Sequence, residues 1–422
     1  MRAVALCAHA LLGCAALFDS AAIAKGAASA HEHEYWIATW GASPHHIITF
    51  FQNGPLSAPL DGQTVRQRIH LSAGGHRLRV HFSNAFGATP LVIGAASVAL
   101  PNREASVKPR SVHRLTFGGA GSITIPPGAP ALSDPVDLSV PDQGDLVISI
   151  YLPGSTRIET MHATGQQTGY LSQPGDFTAS ANMPVAAETQ SRLFLSEVDV
   201  MTQAVPGVIV AFGDSITDGA NSTSGTNHRW PDFLYGRLRA AAHGHPTPAV
   251  VNEGLSGNQL LRDLMGVSAL ARFDRDVLAV PGVRDVIVLI GINDIGVPGA
   301  RFGNAQPLIA ASDEPTLASL IAGYRQLIAR AHEHRLRILG ATLTPFQGAA
   351  NYTPQKEQLR QSVNRWIRTS GAFDGVIDFD AAARDPSHPG QFLPAYDSGD
   401  HLHPKDAGYH AMAAAVNLSL LR

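Results

Sequence analysis

The sequence predicts an α/β fold: a parallel sheet with helices on both faces, preceded by an all-β, sandwich-like region. Three observations carry this expectation. From about Trp36 to Val200, short alternating apolar runs are separated by turns rich in Gly, Pro, Asp and Asn. From Pro206 the rhythm changes to short apolar runs alternating with helical patterns. Apolar residues make up 45% of the 422-residue chain and charged residues 15%, enough for a large core and unlike a disordered chain.

Residues 1–30 read as an export signal. Arg2 supplies the positive start, an apolar stretch follows through Phe18, and Ala22-Ile23-Ala24 and Ala28-Ser29-Ala30 are small-x-small cleavage candidates. The stretch is shorter than the roughly 20 residues a membrane span needs, and no later segment approaches that length. Both cysteines, Cys7 and Cys14, lie inside it, so cleavage leaves no thiol for a disulfide, a metal or a nucleophile. Leu11-Leu12-Gly13-Cys14 loosely resembles a lipoprotein cleavage box, but the residues after Cys14 stay apolar, which favours a soluble secreted or periplasmic protein over lipid anchoring at Cys14. The net charge of −3 and the lack of a basic stripe leave nucleic-acid binding without electrostatic support.

Residues 31–205 form the expected β-sandwich-like domain. The runs 64–72 and 76–83 flank Ala73-Gly74-Gly75 as a hairpin would, and further strands are expected at 91–100, 122–125, 136–140 and 146–152. Tyr35, Trp36 and Trp40 could stack on a sugar, although aromatics at a domain start more often belong to the core.

Residues 206–422 form the second expected domain, with strands at 207–213, 248–252, 285–291, 336–343 and 375–379 and helices at 231–242, 315–334, 355–370 and 405–420. Pro231 suits a helix start and Gly244 a stop. Ile321, Tyr324, Leu327, Ile328 and Ala331 recur at helical spacing along one face.

Ligands of such sheets bind at the carboxyl ends of the strands, and four segments fall at strand ends or beside a helix start. The first places Ser215 in the turn after 207–213, where it is either a nucleophile or the cap of the next helix. The second strand runs into Asn252-Glu253-Gly254-Leu255-Ser256-Gly257-Asn258, the third into Gly291-Ile292-Asn293-Asp294, and Asp400-His401-Leu402-His403-Pro404 precedes the last helix. Asp400 and His403, three apart in a turn, can bring a carboxylate to imidazole Nδ1 and leave Nε2 facing Ser215. His401 is the rival base, but adjacency to Asp400 places it worse. The backbone N–H groups of Ser215 and Gly257 and the side-chain amide of Asn293 can serve as oxyanion donors. Taken singly, Gly257 and Asn293 are compatible with mere turn roles.

Together these blocks resemble the SGNH, or GDSL-type, hydrolases. Gly213-Asp214-Ser215 with Gly219 matches the first block, with Ile216 where the name-giving tetrad has Leu; Gly257, Asn293 and the Asp400/His403 pair match the other three in order, over residues 206–422. The rival α/β-hydrolase elbow, G-x-S-x-G, fails because position 217 is Thr. The resemblance implies a flavodoxin-like sheet, a Ser215–His403–Asp400 triad, an oxyanion hole of Ser215, Gly257 and Asn293, and no cofactor. It implies hydrolysis of small-molecule or polysaccharide esters, with short acyl or acetyl groups on carbohydrates favoured. The alternatives are a lipase or lysophospholipase and a non-catalytic carbohydrate-binding protein on the same scaffold. His31, His33, His45 and His46 lack metal-site spacing, and a metal held by Asp400, His401 and His403 leaves Ser215, Gly257 and Asn293 without a role.

Overall fold

The structure, a computed structural model, describes residues 34–46, 56–203, 207–301 and 306–421. The expected export signal, both cysteines, His31, His33 and the expected boundary at 205/206 lie outside these residues.

The second half is built on five parallel strands: β1 (Val208–Gly213), β2 (Ala249–Gly254), β3 (Val283–Leu289), β4 (Arg337–Ala341) and β5 (Gly375–Ile377), in the order β2-β1-β3-β4-β5. This is the flavodoxin-like order, whose ligand crevice opens where the chain changes direction, between β1 and β3. All six residues of β1 are buried, as its unbroken apolar run requires for a central strand covered on both faces. Among the described residues, eight α-helices accompany the sheet: α1 (Ser215–Asp218), α2 (Trp230–Ala241), α3 (Ala269–Phe273), α4 (Ile292–Gly296), α5 (Leu317–Glu333), α6 (Pro354–Thr369), α7 (Phe379–Ala383) and α8 (Asp406–Ala415). α2 packs with α8, while α5 packs with α3 and α6. Right-handed crossovers running in both directions from β1 place these two groups on opposite faces. α5 buries Tyr324, Leu327, Ile328 and Ala331 of the expected face, while Leu320 is buried and the expected Ile321 only half-buried. Pro231 lies in the first turn of α2, where its missing N–H has no cost.

The first half is antiparallel throughout its paired strands. One sheet orders Tyr35–Gly41, Leu195–Thr202, Arg77–Ser83 and Pro130–Leu132; the largest orders Val185–Thr189, Gly169–Pro174, Leu60–His70, Asp145–Thr156, Ala95–Ala99 and His113–Arg114. Alternate residues of these strands are wholly buried, among them Leu78, Val80 and Phe82 in the first and Leu146, Ile148 and Ile150 in the second.

The expected hairpin between 64–72 and 76–83 does not form. Its two strands belong to different sheets: Leu60–His70 pairs with Asp145–Thr156 and Gly169–Pro174, and Arg77–Ser83 pairs with Leu195–Thr202 and Pro130–Leu132. The connecting backbone is bonded elsewhere, Leu71 N–H to Gly144 O and Gly75 N–H to Val140 O. Gly74 serves close approach, since a Cβ there would lie 2.4 Å from Val140 O. The expected strand at 91–100 breaks at Gly94 into Leu91–Ile93 and Ala95–Ala99, in separate sheets. Residues 136–140 make only isolated bridges, at Val136 and Val140.

One buried apolar cluster runs through both halves. The Ala38 N–H donates to Pro281 O, and Ser43 Oγ donates to Glu253 Oε2 at 2.8 Å. Trp40 is buried in this core, and Trp36 lies beneath the Arg79 guanidinium, 4.5 Å from the ring centre. Both are therefore spent on packing, and Tyr35 alone of the three is exposed. Among the described residues no helix is long and apolar enough to cross a membrane.

Candidate active site

The carboxyl end of β1 delivers Ser215 to the crevice. Gly213 ends the strand where a Cβ would meet Leu289 O at 2.4 Å, so only glycine lets β1 and β3 close up there. Asp214, not Ser215, is the N-cap of α1: its Oδ1 accepts the Ile216 N–H at 3.0 Å. Gly219, at φ 98°, ends α1 in the left-handed conformation. Ser215 is thus relieved of the capping role open to it in the sequence, and its hydroxyl is available for other chemistry.

Ser215 Oγ lies 2.8 Å from His403 Nε2, and His403 Nδ1 lies 2.7 Å from Asp400 Oδ2. A carboxylate can only accept, so Nδ1 carries the hydrogen and Nε2 is left to accept from the serine hydroxyl. Asp400 is itself fixed: Oδ1 accepts the N–H groups of Leu402 and His403 and the Ser398 hydroxyl, and Oδ2 also accepts Asn221 Nδ2–H at 2.9 Å. Burial alone would raise the Asp400 carboxyl. The hydrogen bond and charge of His403 and the N–H groups of His403 and Leu402 outweigh it and hold the group well below the usual carboxylate range. Asp400 therefore stays ionised wherever His403 can act as a base.

His401 faces away from this line. Its Nδ1 is 2.5 Å from Asp397 Oδ2, so the two histidines of the segment are held by different carboxylates.

Gly257 and Asn293 are joined through the residue between them in space. Gly257 has φ 76°, and a Cβ would lie 2.3 Å from Met265 Sδ. Asn293 Nδ2 donates one hydrogen to Asn258 O at 3.0 Å, and its second has no acceptor among the described residues. Among the described residues neither the Ser215 nor the Gly257 N–H has a protein acceptor. The loop is pinned further by Asp294, which accepts the Leu260 and Leu261 N–H groups, and by Arg272, whose Nε donates to Asn258 Oδ1. Residue types and spacing alone had not singled out Asn221, Asp294 or Arg272. Asn221 sits at φ 63°, tolerable for asparagine, but its partner is 179 residues away and no local pattern announces it.

Two buried acids stand behind the serine. Burial pushes Asp214 up to about 7, against the Ile216 N–H and the charge of His403, and pushes Asp294 up to about 6. Between the ordinary carboxylate value and about 7 the folded state therefore binds more protons at Asp214 than the unfolded chain, and this group's contribution to stability falls as pH rises. Asp214→Asn, which keeps the Ile216 cap, should gain stability relative to the parent protein between pH 4 and pH 7. Urea unfolding at the two pH values measures this, and a pH-independent difference would refute it.

Residues 211–411 match the sequence model of the GDSL-like lipase/acylhydrolase family. No curated protein matches the chain. Solved structures similar to it include a putative lipolytic protein of the G-D-S-L family from Desulfitobacterium hafniense, at 22% identity and TM-score 0.36 over 50% of this chain and 97% of that one. An acetylxylan esterase from Geobacillus stearothermophilus is 24% identical with TM-score 0.38, over 51% and 94% of the two chains. A GDSL-like lipase from Bacteroides thetaiotaomicron is 17% identical with TM-score 0.36, over 51% and 88%. The family match, which runs from within β1 through the four blocks just described, identifies residues 211–411 as a domain of the GDSL-like lipase/acylhydrolase family, the SGNH hydrolases.

Proposed function

We propose that this protein is an exported serine esterase that cleaves short-chain carboxylic esters, acetyl groups on carbohydrates among them, through an acyl-enzyme on Ser215. The observation that carries the reading is the continuous hydrogen-bonded line from Ser215 Oγ through His403 to Asp400. Ser215 Oγ attacks the ester carbonyl carbon while His403 Nε2 takes its proton, and Asp400 stabilises the imidazolium that forms. The carbonyl oxygen, now an oxyanion, receives the N–H groups of Ser215 and Gly257 and the free Asn293 Nδ2 hydrogen. The C–O bond to the alcohol breaks, and the alcohol leaves with the proton from His403. Water then attacks the acyl carbon as it gives a proton to His403 Nε2; the acyl C–Oγ bond breaks, and His403 returns that proton to Ser215 Oγ as the acid leaves. This sequence needs no cofactor.

A fluorophosphonate probe and a p-nitrophenyl ester series test the reading together. Peptide mass spectrometry should find the probe on Ser215, and turnover should be best with acetate or butyrate and fall with longer chains. Turnover rising toward long chains would favour the lipase alternative. Absence of both label and turnover would favour the non-catalytic carbohydrate-binding one.

A further inference from the structure

We infer that His162, from the β-rich half, is a positioning residue for ester hydrolysis: it holds Asp218, and Asp218 holds the turn that carries Gly257. The inference rests on the reading of Ser215 as nucleophile and of the Gly257 N–H as an oxyanion donor.

His162 lies on the short strand Thr160–His162, and its Nε2 is 3.1 Å from Asp218 Oδ1, with both side chains buried. Asp218 is the last residue of α1, three positions after Ser215. Its second oxygen, Oδ2, accepts both the N–H of Ser256 at 3.1 Å and the Ser256 hydroxyl at 2.6 Å. Ser256 directly precedes Gly257. One carboxylate therefore ties the helix bearing the serine to the turn bearing the second N–H. Thr164, two residues beyond His162, donates to Ser256 Oγ at 3.2 Å and adds a direct tie from the same segment.

The hydrogen-bond chemistry makes the His162–Asp218 contact a strong one. Nδ1 of His162 is 3.0 Å from Ser43 O, and a carbonyl oxygen can only accept, so Nδ1 carries a hydrogen. Nε2 then meets a carboxylate oxygen, and a favourable contact requires one further proton, on the ring or on Asp218. With that proton in place, Nε2 and Oδ1 are joined by a hydrogen bond shielded from water on both sides. Among the described residues no other cationic group lies within ion-pair distance of Asp218, because the nearby Arg229 is engaged by Asp232. The neighbouring His45 behaves oppositely. It donates from Nδ1 to His46 O and accepts the Ala163 N–H at Nε2, and burial together with the charge of His162 pushes it down to about 4. His45 is thus neutral scaffolding for the strand that presents His162.

Loss of His162 frees Asp218 to turn toward solvent or other donors, and the Ser256–Gly257 turn loses its fixed distance from Ser215. A displacement of about 1 Å at such a donor costs up to roughly a hundredfold in rate. The test measures kcat and KM on p-nitrophenyl acetate, with thermal unfolding midpoints, for His162→Leu, His162→Gln and Ser256→Ala, with Ser215→Ala as control. His162→Leu should lower kcat at least about tenfold with KM held within about twofold, the mark of an interaction that acts in the transition state. Gln places an amide N–H where Nε2 stood, so His162→Gln should recover most of the loss. Ser256→Ala should lower kcat several-fold. Unchanged kcat in His162→Leu would overturn the inference, as would a loss that Gln does not recover; if the Leu variant does not fold, unchanged kcat in Ser256→Ala does so. Retained turnover in Ser215→Ala would instead overturn the serine reading, so the two failures are distinct.

Discussion

Ser215→Ala should reduce hydrolysis of p-nitrophenyl acetate by roughly 10⁴- to 10⁶-fold, the loss expected when the nucleophile of an acyl-transfer site is removed. The residual rate would come from the oxyanion donors and bound geometry alone. The fold should survive the change. Asp214 caps α1, and the Ser215 hydroxyl makes its hydrogen bond to His403, so the variant forfeits one side-chain bond, about 1 kcal/mol. Steady-state kinetics with a thermal unfolding scan check both halves of the prediction. Turnover within tenfold of the parent protein would remove Ser215 from the chemistry.

Arg272→Met should destabilise the protein by about 3–5 kcal/mol and lower activity with it. The guanidinium is wholly buried and lies over the Phe212 ring, 4.1 Å from its centre. It donates to Gly213 O at 2.7 Å, Glu253 O at 2.9 Å, Ser43 Oγ at 2.8 Å, Asn258 Oδ1 at 2.9 Å and Asp276 Oδ2 at 3.0 Å. Those acceptors sit at the ends of β1 and β2, on the loop after Gly257, just beyond the strand Tyr35–Gly41 of the β-rich half, and four residues further along from Arg272 itself. Met fills comparable volume but donates nothing, so several desolvated oxygens lose their partner at once. Arg275 still neutralises Asp276, which keeps the loss below that of a bare buried charge. Lys would not substitute, because an ammonium cannot span acceptors spread around a planar fork. Urea unfolding should show a lower midpoint with both Met and Lys; a midpoint equal to the parent's in either would contradict the account.

In the α/β half the five strands and the four long helices were legible in the sequence, whereas the short helices α3, α4 and α7 were not. The apolar run 208–212 and the spacing of Tyr324, Leu327, Ile328 and Ala331 are local patterns, and burial on both faces of a strand or one face of a helix writes them directly into the chain. The β-rich half was legible only as strands. Whether 64–72 pairs with its neighbour or with 145–152 depends on contacts far along the chain, and the same alternating pattern suits both partners. The glycines at 74 and 75 looked like a turn signal and proved to be a point of close backbone approach.

The site divides in the same way. Ser215, Gly257, Asn293, Asp400 and His403 stood out because each is a reactive or permissive residue at a strand end or before a helix, and their order along the chain is itself a pattern. By itself the sequence determined which residue types reach the crevice. Only the tertiary structure decided which of them meet: Ser215 and His403 close over 188 residues, Asn221 steadies Asp400 over 179, and Arg272 reaches Ser43 over 229. The same holds for His162, 56 residues from Asp218. Periodicity and propensity are properties of neighbouring residues, whereas a buried polar atom is satisfied by whatever donor or acceptor the packed chain brings within 3 Å of it, and no local rule encodes that partner.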